Sequence, residues 1–405
     1  MTGTAIAQAI PLSISPILTR IYTPQDFGIL ALYMSVAGIF STIATARYES
    51  AIILPKKDSD AMHIVILSIL ISFLLSVFVF IVILFFNKEI AEILKNKEIS
   101  NLLYFIPLTI LFSGFYQSFT YWSNRKKQYK RLSMSKIVQS FTVGSVKTGM
   151  GISDFTFAGL IVGNVIGQGV ATIFLGKFIF DEEKKIFTKL NSLKIIAMFY
   201  KYISFLKFST PGAFFQTIST NSMAIFINIL FSTSIVGFYS FANSMLRAPL
   251  RLIFLSLSQV YRQEAAKLYY KGSYELLVYT NRLQKKMLYT LVPFMIFVFL
   301  FSPMLFKIIF GLEWEIAGEY VRYFLPLVFF SSLFTPISSL VDILGKQKFE
   351  LYWKISFFIF QISSLYISSL YFNFEISILI MSIFGSLHYI YINYYLQKVL
   401  KEENR

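Results

Sequence analysis

LSILISFLLSVFVFIVILFF, residues 67–86, contains no charged residue. It lacks the two-residue rhythm of a half-buried strand and the 3.6-residue rhythm of an amphipathic helix, and reads instead as one apolar run. As a helix it would measure about 30 Å, the thickness of a bilayer's hydrocarbon core. The rest of the chain repeats the pattern. Of 405 residues, 56% are hydrophobic and 14% charged, where a soluble domain carries about 25% charged residues. Twelve spans are expected, at 2–19, 27–53, 61–86, 102–122, 134–152, 155–176, 208–230, 234–257, 287–310, 320–344, 351–372 and 376–397.

Lysine and arginine in the loops set the orientation of such a chain. With both termini cytoplasmic, the cytoplasmic segments hold 26 of the 37 basic residues and the outer loops hold five, Arg20, Lys88, Lys95, Lys97 and Lys307. Most of the net charge of +16 is therefore a topology signal, and nucleic acid is not an expected partner. Membrane lipids are. The first charge is Arg20, so no secretory signal peptide is read. Without cysteine there are no disulfides and no thiolate metal sites.

An internal echo divides the chain. YFIPL (104–108) returns as YFLPL (323–327), and YTPQDFGILALYMS (22–35) returns loosely as FSTSIVGFYSFANS (231–244), matching Gly28 to Gly237. Six spans precede the division and six follow, so both halves run the same way. This parallel-repeat plan is one that transporters use, with the substrate site between the halves. The expected organisation is a six-helix lobe over 1–180, a cytoplasmic linker over 181–207, and a second six-helix lobe over 208–405. The fold class is an all-α polytopic membrane protein whose two pseudo-symmetric lobes surround a central cationic cavity.

The cavity is inferred from charges inside the spans: Arg47, Lys136, Lys147, Arg247, Arg251 and Arg322, with Glu49 and Asp342. Each such charge costs roughly 2.5–3.5 kcal/mol at a helix centre. Lys136, Arg322 and Asp342 lie near span ends, where they can snorkel to water. Arg47 stands nine residues before Lys56, about 13 Å deep on a regular helix. Glu49 is two residues away, and positions i and i+2 do not face each other on a helix. Each then needs a partner on another helix, with Lys147 a candidate for Glu49, or needs water. Asn243, Arg247 and Arg251 fall at i, i+4 and i+8, on one face. They line a phosphate-accepting cavity, or else the arginines cap carbonyls freed by Pro249. Guanidinium groups suit bidentate phosphate recognition, so the expected cargo is anionic and phosphorylated.

Nothing reads as a catalytic site or a metal site. His63 and His388 are the only histidines, and neither sits in a metal-spacing or catalytic motif. No cofactor is expected. Uphill transport would draw on a proton or sodium gradient, or on a separate partner. Glu49 and His388 are the coupling candidates.

PILTRIYTPQDFGILALY (16–33), ATARYESAIILPKKDSDA (44–61) and YWSNRKKQYKRLSMSKIVQS (121–140), with KFSTPGA (207–213), GFYSFA (237–242) and QVYRQEAAK (259–267), resemble the polysaccharide (O-antigen, Wzx-type) flippases. That family belongs to the multidrug/oligosaccharidyl-lipid/polysaccharide (MOP) superfamily. The resemblance implies a non-enzymatic transporter in the bacterial inner membrane. It would move undecaprenyl-pyrophosphate-linked oligosaccharide from the cytoplasmic to the periplasmic leaflet. A polysaccharide polymerase and a chain-length regulator would be its neighbours. Arg20 and Asp26 belong to the first matching stretch, Arg47 and Glu49 to the second. Ser244 stands where similar proteins often carry a basic residue, one turn before Arg247. The alternatives are a cation-coupled multidrug exporter of the same superfamily, which would prefer an acidic cavity, and a membrane polysaccharide polymerase, which would usually carry a large periplasmic loop.

Overall fold

The computed structural model describes residues 2–153, 155–188 and 190–402. These residues form helices and no strands. Each of the twelve expected spans holds one helix of nineteen residues or more. These helices are α1 (Thr2–Ile21), α2 (Pro24–Thr42), α3 (Asp58–Ile93), α5 (Ile106–Arg125), α6 (Tyr129–Ile152), α7 (Thr156–Glu182), α10 (Thr210–Leu230), α11 (Thr233–Lys271), α12 (Ser273–Phe310), α13 (Glu315–Phe334), α15 (Gln347–Ser369) and α16 (Phe374–Glu402). Shorter helices fill the connections: α4 (Ser100–Leu103), α8 (Lys184–Phe187), α9 (Ser192–Lys201) and α14 (Leu340–Ile343). By length and composition alone, seven of the described helices are apolar enough to cross a membrane. On α3, Phe73, Leu74, Phe78 and Phe85 are exposed. Such a surface needs lipid around it.

Contacts divide the chain into two compact units, Met1–Gly237 and Phe238–Arg405. In the first, α6 packs on α1 and α7, α5 on α3 and α7, and α10 on α2. One core gathers Ile29, Leu32, Tyr33, Ile106 and Ile161. Another gathers Tyr48, Ile52, Met62, Trp122 and Leu175. In the second, α13 packs on α12 and α16, and α15 on α16. Its core holds Tyr261, Leu276, Ile337, Trp353 and Leu396. The internal echo had assigned span 208–230 to the second lobe; its helix, α10, lies among the contacts of the first unit.

Local chemistry explains two of the boundaries. Thr23 and Asp26 form a capping box at the start of α2. Thr23 donates its backbone N–H to Asp26 Oδ2 (2.8 Å), and Thr23 Oγ1 accepts from the Asp26 N–H (3.3 Å). Gly272, at φ 146°, joins α11 to α12 in a conformation that suits only glycine. The stretch 258–286 is thus the continuation of two long helices.

Two spans differ from expectation. The span over 27–53 is not one helix. α2 stops at Thr42, Ala46 and Arg47 turn left-handed at φ 48° and 62°, and a 3₁₀ helix follows over Tyr48–Ile53. The span over 320–344 breaks into α13, a 3₁₀ turn at Thr335–Ile337 and α14.

Candidate functional site

In the first unit the break after α2 brings Arg47 and Glu49 together. Arg47 Nη1 lies 3.3 Å from Glu49 Oε1. The expectation that these two could not satisfy each other assumed a regular helix, and the left-handed turn at Ala46–Arg47 removes that premise. The same turn invalidates the depth counted from Lys56. Glu49 is fully buried and also accepts from the Thr45 hydroxyl. Its partner is therefore Arg47 and not Lys147. The Arg47 side chain is one-third exposed, while its Nε is buried without a hydrogen bond among the described residues.

Lys147 is buried where α6 meets α7 and α1. Its carbonyl accepts from the Tyr22 hydroxyl at 2.7 Å. A Cβ on Gly163 would stand 2.6 Å from Lys147 Cγ, so the absence of a side chain on α7 makes the room this lysine occupies. Its ammonium has no ion pair among the described residues. Arg20 donates to the Pro16 carbonyl at 3.2 Å and closes the last turn of α1. Asp26 holds the capping box. Both motif residues thus have local structural work.

In the second unit Asn243 and Arg247 meet as their i, i+4 spacing requires. Arg247 Nε donates to Asn243 Oδ1 at 2.7 Å, and Nη1 reaches Ser331 Oγ at 3.5 Å. No carboxylate pairs with Arg247 among the described residues. Its bonds go to side chains, so the reading that it caps a carbonyl freed by Pro249 has no support here. Arg251 is exposed, one turn on, and unpaired among the described residues. His388 bonds the Phe384 carbonyl at 3.1 Å and lies against the Phe357 and Phe360 rings.

Carbonyl capping occurs at Arg322 instead. Pro303 has no N–H to give the carbonyl of Phe299 four residues earlier. Arg322 Nε donates to that carbonyl at 2.7 Å, and Nη2 donates to Leu300 O at 3.0 Å. Arg322 was expected to snorkel from a span end. α13 starts at Glu315, which places Arg322 in the third turn, within reach of the proline-containing stretch of α12.

Sequence reasoning missed a polar cluster at the ends of α3, α5, α6 and α7. Arg125 donates to Asp58 (2.9 Å) and to the carbonyls of Ile52 (3.2 Å) and Pro55 (2.7 Å). Lys126 bridges Asp58 (2.7 Å) and Glu183 (3.0 Å), and Arg131 pairs with Glu182. The Lys126 hydrogen bond, with Arg125 beside it, holds the Asp58 carboxyl below its ordinary 3.8 despite partial burial. Burial alone would pull the Lys126 ammonium down; its bonds to Asp58 and Glu183 outweigh that and hold it above 10.5. These residues sit in the two stretches 44–61 and 121–140, plus the end of α7. Their charges were counted only as a topology signal. Among the described residues no group of three or more His, Cys, Asp or Glu could hold a metal ion.

The model of a family described as polysaccharide biosynthesis proteins matches residues 17–318. The chain belongs to that family. No curated protein matches it. Its fold is that of the MOP-superfamily transporters. One similar solved structure is an inward-facing multidrug resistance MATE family transporter of that superfamily. It is 15% identical with a TM-score of 0.78, over 98% of this chain and 96% of that one. The outward-facing conformation of a multidrug resistance MATE family transporter gives 13% and 0.56, over 100% and 94%. A Pyrococcus furiosus MOP-superfamily transporter, described as having a binding pocket of reverse polarity that suggests a different function, gives 13% and 0.54, over 100% and 92%. The family member described here is thus a multi-pass membrane protein with a transporter fold.

Proposed function

We propose that this protein is a flippase for undecaprenyl-pyrophosphate-linked oligosaccharide, carrying an O-antigen, capsule or exopolysaccharide repeat from the cytoplasmic to the periplasmic leaflet of a bacterial inner membrane. The observation that carries the reading is Arg247. Its guanidinium is oriented by the neutral Asn243 and Ser331, with no carboxylate on it among the described residues. A cation left without a counter-ion in a membrane-spanning helix is suited to an anionic cargo. Arg251, one turn towards the basic side, would meet the pyrophosphate first. On the N-terminal half Lys147 adds positive charge, and Arg47, though paired with Glu49, keeps one-third of its side chain exposed for a cargo phosphate. Membership of a polysaccharide biosynthesis family agrees with a glycan cargo.

The functional lobes proposed are 1–180 and 208–405, joined by 181–207, with both termini cytoplasmic. Single cysteines in this cysteine-free chain test the orientation: an impermeant thiol reagent applied to whole cells should label a cysteine at Glu313 and not one at Lys127. Glu49 and His388 are the proposed coupling groups for a proton or sodium gradient. The multidrug-exporter reading has the named fold relatives on its side, and the unpaired basic residues against it.

The deciding experiment is translocation of a fluorescent pyrophosphate-linked glycolipid in proteoliposomes. Arg247→Ala should lower the rate at least tenfold, and Arg247→Lys should lower it less, because lysine keeps the charge while losing the fork. Wild-type rates from a folded Arg247→Ala, Arg251→Ala double variant would reject the reading.

A further inference from the structure

Where α5 turns into α6, on the basic side of the membrane, a cavity of about 400 Å³ opens towards α7. Its rim carries Lys127, Lys130 and Arg131. Its wall is Met134, Phe174 and Phe178. The cavity is thus cationic above and apolar below.

The three rim cations differ. Arg131 is committed: it pairs with Glu182 and stacks over the Phe178 ring at 4.6 Å. The side chains of Lys127 and Lys130 are exposed and make no ion pair or hydrogen bond among the described residues. The rim therefore keeps two net positive charges. Lys127 also has φ 58°. Its N–H bonds Asn124 O at 3.0 Å, and the Gln128 N–H bonds Ser123 O at 2.9 Å, the helix stop at which glycine is favoured. A lysine holds this left-handed position at a cost of about 1 kcal/mol against glycine. Below the rim, Met134 is 50% and Phe178 40% exposed.

We infer that this cavity is a binding site for an anionic glycerophospholipid of the basic-side leaflet, a resident lipid distinct from the cargo. The phosphate sits between Lys127 and Lys130, and an acyl chain covers Met134, Phe174 and Phe178. A free phosphate would satisfy the rim and leave the apolar wall bare. A zwitterionic lipid would cover the wall, but its own cation would oppose the rim.

The test uses the full-length protein in detergent, titrated with phosphatidylglycerol, phosphatidylcholine or inorganic phosphate, with thermal unfolding as the readout and native mass spectrometry to count bound lipid. Phosphatidylglycerol should protect the wild type; the other two should not. In Lys127→Gly, Lys130→Gln the half-saturating phosphatidylglycerol concentration should rise at least tenfold. Its lipid-free unfolding temperature should be no lower, since glycine relieves the left-handed residue. Lys130→Gln alone, on regular helix, should shift half-saturation at least threefold. Unchanged half-saturation in both variants, or equal protection by inorganic phosphate or phosphatidylcholine, would overturn the site.

Discussion

Gly28 and Gly237 pass each other so closely that neither can carry a side chain. A Cβ on Gly28 would stand 1.9 Å from the carbonyl oxygen of Thr233, and one on Gly237 would stand 1.8 Å from that of Pro24. The contact is reciprocal: each glycine meets the residue four before the other. These are the two glycines that the internal echo aligns, so equivalent first turns of α2 and α11 cross at equivalent positions.

Gly28→Ala and Gly237→Ala should each lower the unfolding temperature of the purified protein, because a main-chain carbonyl cannot move aside as a side-chain tip can. Gly149→Ala is the control. Nothing lies within 4 Å of its Cβ position, and replacing this glycine in the last turn of α6 should stabilise by up to about 1 kcal/mol. Equal behaviour of the three variants would refute the crossing.

The Asp58 cluster predicts a pH signature. The folded carboxyl is held below 3.8, so its ion pairs stabilise above the ordinary value and are lost as pH falls through the lower, folded one. Wild type should therefore exceed Asp58→Asn in unfolding temperature by a constant margin from pH 7 to about 5, shrinking as acid protonates the group. A margin that grows on acidification would contradict the assignment.

Arg47 separates backbone strain from charge. At φ 62°, glycine should be more stable than alanine by about 1 kcal/mol. Glycolipid translocation should fall in both Arg47→Gly and Arg47→Ala if the guanidinium serves transport. Full activity in the glycine variant would leave Arg47 as a partner for Glu49 alone.

Pro303 and Arg322 should behave as a coupled pair. Arg322→Ala leaves the Phe299 carbonyl unbonded, which should cost about 1–3 kcal/mol. Pro303→Ala returns an N–H to that carbonyl. In a double-mutant cycle the arginine should then matter less on the alanine background. Additive losses would show that the two hydrogen bonds carry no weight.

The twelve helices were legible because a run of about twenty apolar residues has few other fates. Helix ends and lateral partners were less so. Apolar length could not reveal the stop at Thr42, since Ile43, Ala44 and Ala46 suit a continuing span equally well. Arg47 and Glu49, two apart, carried the warning. The link from Arg125 to Asp58 spans 67 residues, and no local pattern marks which basic loop residue will turn inward. The Asn243–Arg247 pair followed from i, i+4 spacing. Ser331 did not, because a serine in an apolar span reads as packing.

The Pro303–Arg322 arrangement also constrains descent. An arginine at 322 can arise while residue 303 still supplies its own N–H, at little loss. A proline at 303 that arises first leaves a bare carbonyl in the bilayer. Arg322 is therefore the permissive change and Pro303 the dependent one, and the order that keeps the carbonyl bonded throughout loses the proline before the arginine.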